Sequence, residues 1–386
     1  MNKKTQTRAL IGLIFIASTF WFIQWLVDIK QDPDFGQLET KNWIAALQKD
    51  TAGNVRAVII KPDKTLILSP DSTHKIHPYD RMLKKSQDQS LTWQHGGQRL
   101  FFISNRERRA LDIYRWNLAR NKVERRSYNT RPKSELFFNS SSLDKGILVS
   151  GAEILEFSPK DGAMKQLLPP IEQGSEALFF YQRLGGHFLK SRWLRNRNLI
   201  VACLQTEQGK QILMVQNMNL KAGLIQVPQI IAEGASIDFD LSSSDQLLFR
   251  VQNKNPKVVS ELYLLKLGTG KKCLIYQSDK FSMLQPTLSP DGKHGTLLLK
   301  PVHGGSSKLI LLSFPSEKIP KTMTQELLNG AIKDVSWHPS SSLILYIKGT
   351  SKGNDAIFSY DLLHKKEVQM TEDGQSYEHP KFSPVY

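Results

Sequence analysis

A similar stretch returns seven times along this chain of 386 residues. Trp93, Phe138, Trp193, Leu241, Leu288, Trp337 and Phe382 each open one copy, at intervals of 45, 55, 48, 47, 49 and 45 residues. A period of this length marks an array in which each unit hides a face that its neighbour covers. The clearest copies are Leu91 to Ser104, Ser191 to Leu204, Thr287 to Lys300 and Val335 to Lys348. In each, a large apolar residue is followed by a polar turn, and the turn by an apolar run.

The runs are short, rich in Leu, Ile, Val and Phe, and bounded by Gly, Pro, Ser, Asn and Asp, as strands buried on both faces are. They are too short for core helices. Behind them come further strand-like segments: Leu111 to Leu118, Glu153 to Phe157, Glu261 to Leu267, Lys308 to Phe314 and Ala356 to Leu362. Tight turns such as Gly268-Thr-Gly-Lys and Pro159-Lys-Asp-Gly lead from these into a fourth segment, for example Lys272 to Gln277. Each unit thus offers four antiparallel strands. Such a small sheet cannot bury both faces alone, and radial closure covers them while leaving only short edges. The expected fold class is all-β, a β-propeller.

The copy at Phe382 comes too late in the sequence to build its own blade. Its outer strands are therefore sought at the other end of the propeller, where Arg56 to Ile60 and Thr65 to Leu68 read as strands, with a weaker run near Lys75. One composite blade then closes a seven-bladed ring. Six or eight blades are the alternatives, because the unit around Phe138 is poor and the unit before Trp193 carries extra residues.

The segments Trp93 to Leu118 and Leu288-Ser-Pro-Asp-Gly292 closely resemble the TolB-type, WD40-like propeller repeat, whose usual form is an aromatic, Ser-Pro-Asp-Gly, a strand, a polar loop and an Ile-Tyr strand. The likeness covers residues 55 to 386. Only Leu288 to Gly292 keeps the whole turn; His95 and Arg195 stand where Pro is expected. The separate N-terminal α/β domain of TolB has no counterpart, so TolB's own partner contacts do not carry over. The resemblance implies a fold and a binding habit, and little about the ligand.

Ala9 to Val27 is 19 residues long without a charge, close to the roughly 20 that a membrane-spanning helix needs. Lys3, Lys4 and Arg8 precede it, and Asp28, Asp32 and Asp34 follow, so the positive-inside rule leaves residues 1–8 in the cytoplasm. A cleaved signal peptide shares the basic start and apolar core. The length of the segment, and its exit through Trp25 to Asp28 without a small-x-small site, favour an uncleaved anchor. Residues 28–54 read as a tether with one short helix around Trp43 to Leu47, and 55–386 as the propeller. The propeller is then expected on the periplasmic or extracellular side of a membrane, a bacterial inner membrane by preference. Cys203 and Cys273 fall in strands of different units and are expected to be unbonded, because separate blades rarely bring Cα atoms within disulfide reach.

The balance of Lys+Arg 52 against Asp+Glu 36 gives +16. The excess is concentrated: Arg99 to Lys133 and Arg183 to Arg197 together contribute +13. Such fields attract anionic partners. In a propeller the turn after the innermost strand lies at one end of the ring and the loop between the second and third strands at the other. Arg106, Arg108 and Arg109 belong to the second kind, with Arg131 and Lys133 near the same end; Arg195 and Arg197 belong to the first. These seven are the candidate partner-binding residues. The outward topology argues against nucleic acid.

Signals for chemistry are sparse. The sequence holds no Gly-x-Ser-x-Gly, no Gly-x-x-x-x-Gly-Lys and no Cys-x-x-Cys, and no hydrolase domain is expected after the propeller. His74 and His77 read as an exposed loop pair. His95, His187, His294, His338 and His379 all lie near innermost strands, which keeps a channel metal as an alternative. Asp112, Asp240 and Asp361 read as makers of edge or turn hydrogen bonds, not as paired catalytic carboxylates. The expectation is a membrane-tethered, non-enzymatic propeller, without cofactor, that binds a protein or anionic envelope component, as an accessory subunit of an envelope complex; a lyase or hydrolase with a channel metal is the runner-up.

Overall fold

The computed structural model describes residues 39–384 apart from 71–86, 95, 108–109, 139–144, 172–174, 195–197, 219–225, 253–259, 315–322, 351–352 and 373. They form seven four-stranded antiparallel sheets. Blade 1 takes residues 88–125, blade 2 135–168, blade 3 187–234, blade 4 236–278, blade 5 281–330 and blade 6 332–369. Blade 7 is composite: Ser376–Phe382 is innermost, followed outward by Ile44–Lys49, Val55–Ile60 and Leu66–Leu68. The chain is a seven-bladed β-propeller closed as its repeat requires.

Continuous apolar runs are explained by two-sided burial. In blade 5, Leu297 and Leu299 pack toward blade 4 with Leu248 and Leu262, while Leu298 between them packs toward blade 6 with Ile344 and Tyr346. Successive side chains of a strand point to opposite faces, so three leucines in a row serve two interfaces. Each fully buried leucine contributes about 1.5–3 kcal/mol.

The turn at Leu288 to Gly292 shows why its residues recur. Ser289 Oγ donates to Asp291 Oδ1 at 2.6 Å and accepts from the His294 amide at 2.9 Å. Gly292 sits at φ +71, where an added Cβ would come within 2.2 Å of Ser244 Oγ. Neighbouring turns are tied together: Ser243 Oγ donates to the Pro290 carbonyl at 2.8 Å, and Ser341 Oγ accepts from the Asp291 amide at 3.1 Å.

Two departures from expectation have local causes. The helix expected around Trp43 to Leu47 is instead the strand Ile44–Lys49, paired along its length with Val55–Ile60 and on its other edge with Ser376–Phe382. Ala-Ala-Leu favours helix locally, but both edges of this segment meet partners, and pairing overrides propensity. The described propeller unit accordingly begins at Thr40, not at residue 55. The 55-residue interval before Trp193 holds a helix, α1 (Glu176–Leu184), capped by Ser175, whose Oγ accepts from the Leu178 amide at 3.2 Å. Its buried Ala177 and Tyr181 seat it on blade 3, where Tyr181 OH donates to Gln216 Oε1 at 3.1 Å. The run near Lys75 and the segment Ala9 to Val27 lie outside the described residues. Among those described, no helix is long and apolar enough to cross a membrane.

Cys203 is buried in blade 3, Cys273 is half-buried in blade 4, and both are free thiols. Burial, then the nearby Asp238 charge, pushes the Cys203 thiol up to about 12. A thiol reagent at pH 8 is therefore expected to label Cys273 in the folded protein and Cys203 only after denaturation. Equal labelling rates, or a Cys203–Cys273 disulfide peptide in a digest, would contradict this arrangement.

Candidate functional site

The innermost strands enclose a cavity of about 830 Å3 on the ring axis. Its wall includes Trp93, Phe138, Trp193, Leu241, Leu288, Trp337 and Phe382, the residues of the repeat. Pro290, Pro339, Ser242 and Ser243 border it, all from turns after innermost strands, so the cavity extends to that end of the ring. This end is its mouth.

Around the axis the blades are linked by side chains of the innermost strands. In blades 1, 5, 6 and 7 these strands are bulged, and Ser90, Gln285, Asp334 and His379 adopt φ of 52, 47, 53 and 52 degrees. A left-handed conformation in a residue with a Cβ costs about 1–2 kcal/mol, and a bulge re-aims its side chain. Here it brings side chains onto the next blade. Ser90 Oγ accepts from the Leu136 amide at 2.8 Å, Gln285 Oε1 from the Val335 amide at 3.4 Å, and Asp334 Oδ2 from the His379 amide at 3.2 Å. Elsewhere Glu135 accepts from the Ser191 amide at 3.2 Å and Asp240 from the Leu288 amide at 2.9 Å. Lys190 donates to Asp238 at 2.8 Å, and Lys381 to the Leu91 carbonyl at 2.7 Å. Every blade junction has such a link.

Charged side chains line the cavity on blades 2, 3, 4, 6 and 7. Arg192 pairs with Glu135 at 2.8 Å and lies over the Phe137 ring at 4.4 Å. Burial opposes the ionised form of Glu135, but Arg192 and Lys190 outweigh it and hold the carboxyl below its usual range. Burial likewise opposes the charge on Arg192, and Glu135 and Asp240 outweigh it. Lys381 differs. Burial, then the Arg192 charge, pushes its ammonium down to about 8.

Of the seven basic residues expected to bind a partner, the three that are described, Arg106, Arg131 and Lys133, lie away from this cavity. Arg106 is a structural arginine: its guanidinium pairs with buried Asp88 at 2.5 Å, donates to the Pro70 carbonyl and to Ser69 Oγ, and stacks over Phe102 and Tyr114. Lys133 is wholly buried, donating to the carbonyls of Leu111, Asn129 and Arg131, with Asp112 at 3.4 Å. These two are corrected from surface contacts to core ties, because each meets a desolvated carboxylate. Arg131 is exposed and paired with Glu153. Arg108, Arg109, Arg195 and Arg197 lie outside the described residues.

Of the three aspartates, Asp361 accepts from the Leu363 and His364 amides in a turn, Asp240 ties blade 4 to blade 5, and Asp112 sits with Ser127, Arg125 and Lys133 in a buried ion cluster. The histidines are dispersed. His338 is buried between Ser340, Asn42 and the edge-on Phe382 ring, His294 bonds Ser313, and His187 is exposed; only His379 among those described lines the cavity, beside Asp334 at 3.5 Å. His95, His74 and His77 lie outside the described residues. Among the described residues no three His, Cys, Asp or Glu are placed to hold a metal.

The sequence does carry a signal for the charged lining. The residue before each repeat position faces the axis, and three of the seven are ionic: Arg192, Asp240 and Lys381.

Seven antiparallel blades, a composite closure and a belted polar channel define a seven-bladed β-propeller. Among solved structures the chain is similar to TolB from Acinetobacter baumannii, at 11% identity over 94% of this chain and 71% of that one, with a TM-score of 0.53. It is also similar to an oligogalacturonate lyase in complex with manganese (10% identity, 86% of each chain, TM-score 0.55). A third is the β-propeller domain of the Trilobed protease from Pyrococcus furiosus, described as having an open velcro topology (14% identity, 86% of this chain, 96% of that one, TM-score 0.57). No protein-family model and no curated protein matches the sequence. The expected TolB-like architecture is met. At these identities the likeness shows the fold, which serves a lyase and part of a protease alike.

Proposed function

We propose that the chain is a membrane-tethered, non-enzymatic binding propeller, an accessory subunit that docks a protein or anionic envelope component at the mouth of its channel. The observation that carries this reading is the use made of the channel carboxylates. Glu135, Asp238, Asp240 and Asp334 each accept from an adjacent blade. A carboxylate holding an amide or a cation in place is a poor general base, whereas a ring locked by such bonds is a preorganised platform for loops. Ala9 to Val27 supplies the tether in this reading, with the propeller outside the cytoplasm. Arg195 and Arg197, which follow Leu194 in sequence, supply charge-assisted contacts to the partner in this reading.

A photo-crosslinking amino acid at Ser244, exposed beside the mouth, is expected to give a discrete adduct in intact cells. The same group at Gln208, exposed in a turn at the opposite end, is expected to give none. Adducts from Gln208 alone would reverse the docking end; none from either position would remove the docking function.

A further inference from the structure

We propose that the channel is a binding site for a small organic monocarboxylate, held by the Lys381 ammonium and enclosed by the aromatic residues of the repeat. The other two cations of the cavity are already neutralised: Lys190 by Asp238 at 2.8 Å and Arg192 by Glu135 at 2.8 Å. Lys381 has no carboxylate in bonding range among the described residues. Its ammonium carries three N–H groups, and its one hydrogen bond there is to a neutral carbonyl, that of Leu91. Lys381 is half-buried, and a cation partly withdrawn from water without a counter-ion carries a cost that a bound anion relieves.

The surroundings select the kind of anion. Trp93, Phe137, Trp193 and Trp337 give the cavity broad apolar walls, and about 830 Å3 accommodates a body of small-molecule size. Four carboxylates also line it, Glu135, Asp238, Asp240 and Asp334. They disfavour a phosphate dianion more than a single negative charge. An acid with one carboxylate on a flat apolar body fits both features. This site stands whether or not a macromolecule docks on the mouth.

The depressed ammonium gives the site a pH signature. The charges acting on Lys381 come from Arg192 and Lys190 on blade 3, Glu135 on blade 2 and Asp240 on blade 4; Asp238, Asp334 and His379 complete the titratable lining. Below about 8 Lys381 is charged and holds the anion. As the pH rises through that value the charge, and with it the preference for an anion, is lost.

The test uses the full-length chain in mild detergent, with calorimetry and the tryptophan emission of the lining as readouts. Phenylacetate, its neutral analogue phenylacetamide and inorganic phosphate are the probes. At pH 7 phenylacetate is expected to bind about tenfold more tightly than phenylacetamide, the gain of one charge-assisted hydrogen bond. The ratio is expected to fall toward one by pH 9.5. Lys381→Met is expected to abolish it at pH 7, and Lys381→Arg to keep it at both pH values. Should Lys381→Met fail to fold, the pH profiles of the parent and Lys381→Arg decide alone. Equal affinity for acid and amide, no binding of either, a ratio retained in Lys381→Met, or tighter binding of phosphate would each overturn the proposal.

Discussion

A chain that stops at Gln375 is expected to lose its cooperative thermal transition and to bind a hydrophobic dye at room temperature. The missing strand, Ser376–Phe382, is the innermost of blade 7 and pairs with Ile44–Lys49, with Ile44 opposite Phe382 and Lys49 opposite Ser376. It contributes Tyr377, fully buried, and Phe382 to a core shared with Leu345, Ile347 and Ile357 of blade 6. Two buried aromatics alone represent about 3–6 kcal/mol, against about 5–15 kcal/mol for a whole domain. The loss also removes the carbonyl of Lys381 from the Trp93 indole, at 3.1 Å, and the Ser383 contact with Thr40 at 3.0 Å. A truncated chain that melts with unchanged midpoint and enthalpy would show that blade 7 is not built as described.

Arg106→Ser is expected to destabilise the fold by about 3–5 kcal/mol, the usual cost of removing one partner of a buried ion pair. Asp88 has no exposed side-chain surface, and its Oδ2 also accepts from the Ala57 amide at 2.9 Å, so it cannot turn toward water. Because Arg106 belongs to blade 1 and Ala57, Ser69 and Pro70 to blade 7, the pair fastens the closing junction of the ring. Urea unfolding measures the change directly. The double variant Arg106→Ser with Asp88→Asn is expected to recover part of the loss, since the stranded charge is gone. A shift below about 1 kcal/mol in the single variant would return Arg106 to the surface role that its loop position first suggested.

What could be read from the residues alone follows the range of the forces involved. The repeat positions, the Ser-Pro-Asp-Gly turn and strands such as Glu153–Phe157 depend on neighbours close in sequence, and periodicity and turn chemistry report those neighbours faithfully. The strand Ile44–Lys49 depends on a partner at the far end of the chain, and no local pattern records it. Charge counting found the basic segments but not their burial. Arg106 meets Asp88, 18 residues back, and Ser69, 37 residues back, and only the blade geometry brings them together. The channel lining escaped for a different reason. Its residues precede the large apolar residue of each copy by one place, where residue types vary from Thr92 to Phe137 to Arg192 to Lys381, so that the charged members are conspicuous only once the axis is known.

Closure by the final strand also sets an order of events in time. While the chain is being made, Ile44–Lys49 has Val55–Ile60 on one side and nothing on the other until Ser376–Phe382 emerges. For most of synthesis the nascent protein therefore carries an open, apolar β-edge, the kind of surface on which neighbouring chains associate. Ring completion spans nearly the whole sequence and is expected to be the slow, concentration-sensitive step of maturation.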